Sequence, residues 1–183
     1  FEESLSKEIE GMSYTETAEF FIDKFNLDYS LDEIKKIWYD MAKDYLEHKV
    51  KLKDGILELL ELIKAENIPM GIGTSASKEF ADIALRSNKI MHYFETIVTS
   101  CEVEKGKPFP YVFLEVAKRL GFDPSRCLVF EDTEAGVDAA ISAGMDVVAV
   151  HDASSEDYKK IIMEKSTKYV YSVRELFEIE KSL

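Results

Sequence analysis

Three short segments of the sequence carry side chains suited to holding a phosphate group beside a metal ion. Thr74 and Ser75 offer hydroxyl and backbone N–H groups just before a predicted helix, where anions bind readily. Lys107 lies at a proline-rich helix start, where the helix dipole favours an anion and a lone cation is misplaced. Glu131 and Asp132 are adjacent carboxylates, which repel each other unless a cation lies between them.

Each segment also has an ordinary structural explanation. Ser and Thr are preferred helix caps, Lys107 could be a solvated surface residue, and Asp132 could cap the helix that follows it. Capping explains one carboxylate but not both, and oxygen ligands suit Mg²⁺, which shares a substrate phosphate. The combination predicts a site with Thr74, Ser75 and Lys107 on the phosphate and with Glu131 and Asp132 on Mg²⁺.

Residues 51–183 predict the scaffold that would position these side chains. Helical patterns alternate with short apolar runs, which is typical of an α/β fold with a mostly parallel, Rossmann-like sheet. The predicted strands are residues 70–73, 96–99, 127–130, 147–150 and 169–171. The predicted helices are residues 56–65, 77–87, 110–120, 134–143 and 155–164, with a last one after Ser172. Ligands bind beyond the carboxyl ends of such strands, and the three segments follow the first, second and third strands.

Residues 1–50 predict a small all-helical domain, joined to the rest by a hinge at residues 51–54. Ser13 with Glu16, and Ser30 with Glu33, have the spacing of helix capping boxes. After each box, apolar residues recur at helical spacing and form one apolar stripe on a charged helix.

The composition excludes several functional classes. The chain has 183 residues, a net charge of −13 and 46% hydrophobic residues. A strongly acidic chain is a poor partner for nucleic-acid phosphates, and no apolar run is long enough for a membrane span or a signal peptide. Two cysteines, Cys101 and Cys127, fit a reducing cytoplasm. We therefore expect a cytoplasmic protein, monomeric, that binds a small phosphorylated metabolite.

A competing motif lies at the first strand. Gly71, Gly73 and Ala76 fit the G-x-G-x-x-A fingerprint of dinucleotide-binding sites, and Glu95 lies roughly where a ribose-binding acid would fall. That motif normally opens the first βα unit, whereas here a helical block precedes it. It also leaves Lys107 and the carboxylate pair without a role.

The sequence resembles the haloacid dehalogenase superfamily, in the branch with a small helical cap that includes β-phosphoglucomutase and many sugar-phosphate phosphatases. The resemblance lies in Ile-Gly-Thr-Ser at residues 72–75, Lys-Gly-Lys-Pro-Phe-Pro at 105–110 and Val-Phe-Glu-Asp-Thr-Glu-Ala-Gly-Val at 129–137. It implies that residues 1–50 are the cap and that an aspartyl-phosphate intermediate forms. It also implies that Thr74 hydrogen-bonds the phosphoryl group, that Lys107 neutralises it, and that Asp132 with Glu131 holds Mg²⁺ directly or through water.

The sequence departs from the family in three places. The family's nucleophile lies in an Asp-x-Asp-Gly-Thr segment on the central strand, and this sequence, which begins with Phe1, contains no such segment. We therefore expect the 183 residues alone to be inactive and to leave an unpaired gap in the sheet. Tyr111 stands where relatives often have aspartate, and Tyr14 stands where mutases have an arginine.

The missing arginine favours a phosphatase over a mutase. The sequence thus predicts an Mg²⁺-dependent phosphatase of a small phosphate ester, most simply a sugar phosphate. The alternatives are a β-phosphoglucomutase-like phosphoryl transferase and a non-catalytic phosphate-binding protein.

Overall fold

The structure is a computed structural model that describes residue 5 and residues 14–177. Contacts within the chain divide it into two compact units, residues 1–49 and residues 50–183. None of the helices in the part that the structure describes has the length and apolar character needed to cross a bilayer.

The first unit contains helices α1 (Tyr14–Phe25) and α2 (Leu31–His48). The capping box predicted at the start of α2 is confirmed, because Ser30 Oγ accepts from Glu33 N at 3.3 Å and Glu33 Oε2 accepts from Ser30 N at 2.8 Å. The other predicted capping box, at Ser13 and Glu16, lies outside the described residues. The two helices pack through Phe21 and Trp38, whose rings meet edge to face at 5.4 Å between centroids.

The second unit alternates helices and strands, which confirms the predicted α/β fold. Its helices are α3 (Ile56–Ala65), α4 (Lys78–Ser87), α5 (Tyr111–Leu120), α6 (Glu134–Ser142) and α7 (Lys159–Lys165). Its strands are β1 (Gly71–Thr74), β2 (Thr96–Thr99), β3 (Leu128–Glu131), β4 (Asp146–Val150) and β5 (Lys168–Val170).

Side-chain caps and a glycine stop account for the helix boundaries. Ser77 Oγ accepts from Phe80 N at the start of α4, and α5 stops at Gly121, whose φ of 77° favours a residue without Cβ. The helix predicted over residues 155–164 is shorter than expected. Asp152 Oδ1 accepts from Ser154 N and starts a 3₁₀ turn over Ala153–Tyr158, so that α7 begins only afterwards.

Another difference lies after Ser172. The last predicted helix is a 3₁₀ turn over Val173–Leu176, which Ser172 begins through a capping box with Glu175.

The strands form two parallel sheets instead of one. In the first, β1 pairs with β2, and Thr74 lies opposite Thr99. In the second, β3, β4 and β5 pair in that order, and Glu131 lies opposite Ala149. Among the described strands, β1 and β3 therefore each pair along one side only.

The unpaired sides of β1 and β3 line a cavity of about 310 Å³. Its walls are backbone and apolar side chains of β1 and β3, closed by apolar residues of α3 and α5. Leu128, in β3, is 53% exposed although the strand belongs to the core of the unit. Among the described strands, this cavity lies where the resemblance to the family expects a further strand.

The largest apolar cluster draws on both sheets. The largest apolar cluster includes Val98, Val112, Val137 and Val147, all nearly or fully buried. Burial of a valine side chain contributes roughly 1.5–3 kcal/mol. This packing fixes the carboxyl ends of the strands, where the candidate site lies.

Candidate phosphate and metal site

The three predicted segments lie at strand ends, as expected, with a shift of one residue in two of them. Thr74 is the last residue of β1 instead of the first after it, and Glu131 is the last residue of β3. Asp132 follows directly, before the helix α6. Lys107 lies in the loop that leads from β2 to α5.

The structure joins Lys107 to Glu131. The Lys107 ammonium forms an ion pair with Glu131 Oε1, and it also lies 4.9 Å from the centroid of the Phe113 ring. The pair is largely removed from solvent, with side-chain exposures of 13% for Lys107 and 8% for Glu131. The Lys107 side chain is therefore fixed by Glu131 and Phe113 and is not a solvated surface lysine.

The other oxygen of Glu131 is also fully engaged. Glu131 Oε2 accepts from Asp132 N at 3.0 Å, from Thr133 N at 3.3 Å and from Thr133 Oγ1 at 3.1 Å. Thr133 Oγ1 in turn accepts from Gly136 N and caps α6. A Cβ atom at Gly136 would overlap the Glu131 carboxyl group, so a glycine is required there. The first turn of α6 thus fixes this carboxylate, and its negative charge suits the helix N-terminus.

Asp132 has a cationic partner that the sequence did not predict. Lys53 Nζ donates to Asp132 Oδ2 at 2.9 Å and lies 2.6 Å from Asp152 Oδ2. It also donates to the carbonyl oxygen of His151 at 3.3 Å. The sequence could have indicated Asp152 as a site residue, because it lies just after a predicted strand. It could not have indicated Lys53, because a lysine in the hinge belongs to no recognisable sequence pattern.

Lys53 and Asp152 stabilise each other's charged forms. Burial lowers the pKa of Lys53, but hydrogen bonds to Asp152 and Asp132 and their negative charges outweigh it, so the pKa lies above its usual value. The hydrogen bond from Lys53, followed by those from Ser154, holds the pKa of Asp152 well below its usual range.

The Thr74–Ser75 loop is folded on itself. Thr74 Oγ1 accepts from Ala76 N at 3.1 Å, and Ser75 is exposed. Ser100 Oγ donates to the carbonyl oxygen of Thr74 at 3.3 Å, and a Cβ at Gly106 would approach Ser100 Oγ to 2.9 Å. Ser100 therefore joins the end of β1 to the loop that carries Lys107, a role that no sequence motif signalled.

The donor set at Asp132 fits a hard divalent cation. Among the described residues, no three His, Cys, Asp or Glu side chains converge on one metal position. Mg²⁺ needs fewer, because it commonly binds one or two carboxylates and completes its shell with waters and phosphate oxygens. The Lys53 ammonium already stands as a cation among oxygens from Asp132, Asp152 and His151. The oxygen donors at Asp132 are thus of the kind that holds Mg²⁺.

The glycines of the dinucleotide-like motif have a packing role. A Cβ at Gly71 would approach Val116 to 2.6 Å, and one at Gly73 would approach the Phe113 ring to 3.1 Å. Both neighbours belong to α5, so the glycines allow that helix to lie close to β1.

Comparison with known proteins identifies relatives of this chain. A sequence profile of the haloacid dehalogenase-like hydrolases matches residues 1–150. The chain is 32% identical over 146 residues to a phosphorylated carbohydrates phosphatase of Thermotoga maritima, covering 80% of this chain and 68% of that protein. It is 38% identical over 96 residues to the fructose-1-phosphate phosphatase of Escherichia coli, covering 51% of each.

A similar fold has been solved by crystallography. A Thermotoga maritima protein assigned as a β-phosphoglucomutase superposes with a TM-score of 0.82 and 28% identity, covering 100% of this chain and 84% of that one. With 51% of the Escherichia coli phosphatase matched, this chain spans about half the length of that relative. Profile, relatives and fold agree, and the chain belongs to the haloacid dehalogenase-like hydrolase family.

Proposed function

We propose that this protein is an Mg²⁺-dependent phosphatase of a small phosphate ester, a sugar phosphate, and that it works through an aspartyl-phosphate intermediate. The observation that carries the proposal is the buried ion pair of Lys107 with Glu131 at the end of β3, next to the half-exposed Asp132. The similarity to a phosphorylated carbohydrates phosphatase and to a fructose-1-phosphate phosphatase supports the substrate class.

Each side chain has a role in holding the phosphoryl group. Lys107, fixed by Glu131, neutralises negative charge on the transferring group, and Thr74 with Ser75 offers hydroxyl and N–H donors to its oxygens. Asp132, supported by Glu131, would hold Mg²⁺. When bound, Mg²⁺ supplies further neutralisation of the phosphate charge.

The nucleophile requires a further strand. We propose that a β-strand not among the described residues fills the 310 Å³ cavity and pairs with both β1 and β3. It would carry an aspartate at its carboxyl end, beside Lys107. The aspartate oxygen would bond to phosphorus as the ester P–O bond breaks. The leaving alkoxide would take its proton from the second aspartate of the same Asp-x-Asp-Gly-Thr segment, which would regain a proton from the attacking water in the next step. Water then cleaves the acyl phosphate to release inorganic phosphate and restore the aspartate.

The helical unit completes the proposal. By resemblance to the family, residues 1–50 form the cap that selects the substrate and residues 51–183 form the catalytic core. We place the protein in the cytoplasm as a monomer. Cys101 and Cys127 are both free, as a reducing compartment requires.

The test is release of inorganic phosphate from a panel of sugar phosphates by the product of the complete reading frame. We expect turnover with Mg²⁺ and none with EDTA. Asp132→Asn should lower kcat/KM by about 100-fold or more. Asp138→Asn is the matched control, because Asp138 pairs with Lys165 on the surface, and it should keep the parent activity. Equal activity of the two variants would show that Asp132 is not in the site.

The intermediate has its own test. Brief reaction with substrate labelled at phosphorus, followed by acid quench, should leave label on the protein that hydroxylamine removes. A quench that never retains label while phosphate is released would contradict the aspartyl-phosphate step.

A phosphoryl transferase like β-phosphoglucomutase is the second candidate, favoured by the similarity to the crystal structure assigned to that enzyme. It would interconvert sugar phosphates without net release of phosphate. A protein that binds phosphate but does neither reaction would be the non-catalytic phosphate-binding alternative.

A further inference from the structure

We propose that Lys53 is an internal counter-ion that occupies the cation position at Asp132 in the metal-free protein and thereby sets the affinity for the divalent metal. This inference rests on the proposed function, because it takes Asp132 as a metal ligand. Neither the sequence motifs nor the named relatives assign Lys53 a role.

The surroundings of Lys53 are those of a bound cation. Its ammonium group lies 2.9 Å from Asp132 Oδ2, 2.6 Å from Asp152 Oδ2 and 3.3 Å from the His151 carbonyl oxygen. All three partners are oxygen atoms, the donors that Mg²⁺, Mn²⁺ and Ca²⁺ prefer. A divalent cation that binds Asp132 must share this carboxylate with the ammonium or displace it.

The two carboxylates hold Lys53 in different ways. Asp152 is fixed, because its Oδ1 accepts from Ser154 N at 2.9 Å and from Ser154 Oγ at 2.6 Å. Its Oδ2 remains for Lys53. Lys53 can therefore leave Asp132 while it keeps Asp152, so that Asp132 passes from the ammonium to the metal. Asp152 thus keeps the ammonium group of Lys53 after it leaves Asp132.

The backbone at Lys53 and the next residue are held by two contacts. The carbonyl oxygen of Lys53 accepts from Ile56 N at 3.2 Å as α3 begins. The next residue, Asp54, is tied to Arg174 Nε at 2.8 Å. The displacement thus needs rotation of a flexible side chain that is 37% exposed.

A positive charge beside a metal site weakens metal binding, because the ammonium both competes for Asp132 and repels the dication. Removing the charge should therefore tighten metal binding. We expect an increase in affinity of roughly tenfold, which corresponds to about 1.4 kcal/mol.

The test measures binding of Mn²⁺ alone to the product of the complete reading frame. The electron paramagnetic resonance signal of the free ion reports how much Mn²⁺ remains unbound. Lys53→Met should lower the Kd for Mn²⁺ roughly tenfold, and Lys53→Arg should stay close to the parent. Lys51→Met is the matched control. Lys51 is an exposed lysine two residues from Lys53, and its substitution removes the same formal charge.

Each other result overturns the inference. A Kd for Lys53→Met equal to that of Lys51→Met would show that Lys53 does not compete with the metal. A higher Kd for Lys53→Met than for Lys51→Met would show that Lys53 only orients Asp132 for the metal. Absence of Mn²⁺ binding by all variants at millimolar concentration would show that no metal contests Asp132.

A second measurement covers a variant that folds poorly. Without metal, Lys53→Met leaves Asp132 and Asp152 without their shared cation and should lower Tm. Added Mn²⁺ should raise Tm more in this variant than in Lys51→Met, because a ligand stabilises the folded state by an amount that grows with the logarithm of its affinity. An equal rise in both variants would contradict the proposal.

The outcomes separate this inference from the proposed function. A protein that releases phosphate from substrates but shows equal Mn²⁺ affinities keeps its function and loses the role of Lys53. A protein that shows tighter Mn²⁺ binding in Lys53→Met but no turnover of any phosphate ester loses the proposed function and keeps the cation site.

Discussion

The ion pair of Lys107 with Glu131 should dominate the stability of the candidate site. Both side chains are largely buried, with exposures of 13% and 8%. Lys107→Met removes the cation and leaves Glu131 with three hydrogen-bond donors, from Asp132 N, Thr133 N and Thr133 Oγ1. Glu131→Gln instead leaves the Lys107 ammonium against the Phe113 ring without a counter-charge.

The magnitudes follow from which charge is left behind. Removing one partner of a buried ion pair costs roughly 3–5 kcal/mol. We expect Lys107→Met near the lower end, about 3 kcal/mol, because Glu131 keeps its three donors. Glu131→Gln should cost about 4 kcal/mol, since the lysine keeps no equivalent partner. The double variant leaves no unpaired charge and should cost no more than either single one, which implies a coupling of at least about 4 kcal/mol between the two positions.

Equilibrium unfolding in urea of the product of the complete reading frame measures all three free energies, provided that two probes report one transition. The control is the exposed pair Lys160–Glu164, with side-chain exposures of 89% and 65% and a separation of 4.0 Å. Its coupling should be no more than about 0.5 kcal/mol. A loss in the double variant equal to the sum of the single losses would refute the claim that the buried pair acts as a unit.

Three further predictions concern side chains around and outside the site. Gly136→Ala should destabilise the protein by roughly 1–3 kcal/mol in urea unfolding and lower phosphatase activity, because the new Cβ overlaps the Glu131 carboxyl group. Unchanged activity and stability would contradict the placement of Glu131. Leu85→Ala should lower the free energy of unfolding by about 2–5 kcal/mol, because Leu85 is 8% exposed. Leu57→Ala should lower it far less, because Leu57 is 47% exposed. Equal losses in the two variants would contradict the placement of Leu85 in the core. Ser30→Ala should lower helicity of the first unit by circular dichroism through loss of a cap worth about 1 kcal/mol, and Ser30→Asp should retain it.

The positions of the predicted site residues were accessible from the sequence for a physical reason. Short apolar strands alternating with helices predict a parallel sheet, and the carboxyl ends of parallel strands face the same edge. Thr74 and Asp132 were placed at those ends because the strand patterns around them are clear. Their boundaries shifted by one residue, because Thr74 and Glu131 still complete the backbone pairing of β1 and β3.

The partners of these residues were not accessible. The contact between Lys53 and Asp132 joins residues 79 positions apart, and a lysine in a hinge has neither period nor motif. The link from Ser100 to Thr74 depends on how two loops pack. The sequence also did not predict that Asp152 would start a 3₁₀ turn before α7, because capping by an aspartate fits either kind of helix.

The absence of one family motif from the sequence led us to expect a gap between β1 and β3. Its prediction rested on the resemblance to the family, which expects an Asp-x-Asp-Gly-Thr strand at the sheet centre. In the part of the chain that the structure describes, two parallel sheets flank a cavity of about 310 Å³. The proposed central strand would bury the apolar walls of this cavity, so it would contribute to stability as well as to the proposed chemistry.

The most direct test of the central claim is the rate of phosphate release by Lys107→Met compared with Lys118→Met. Both variants remove one lysine charge, but the Lys118 side chain is 78% exposed on the surface of α5. In samples shown by circular dichroism to be folded, we expect Lys107→Met to lose about 100-fold or more in kcat/KM. Lys118→Met should match the parent. Equal rates for both variants would contradict the claim that Lys107 neutralises the transferring phosphoryl group.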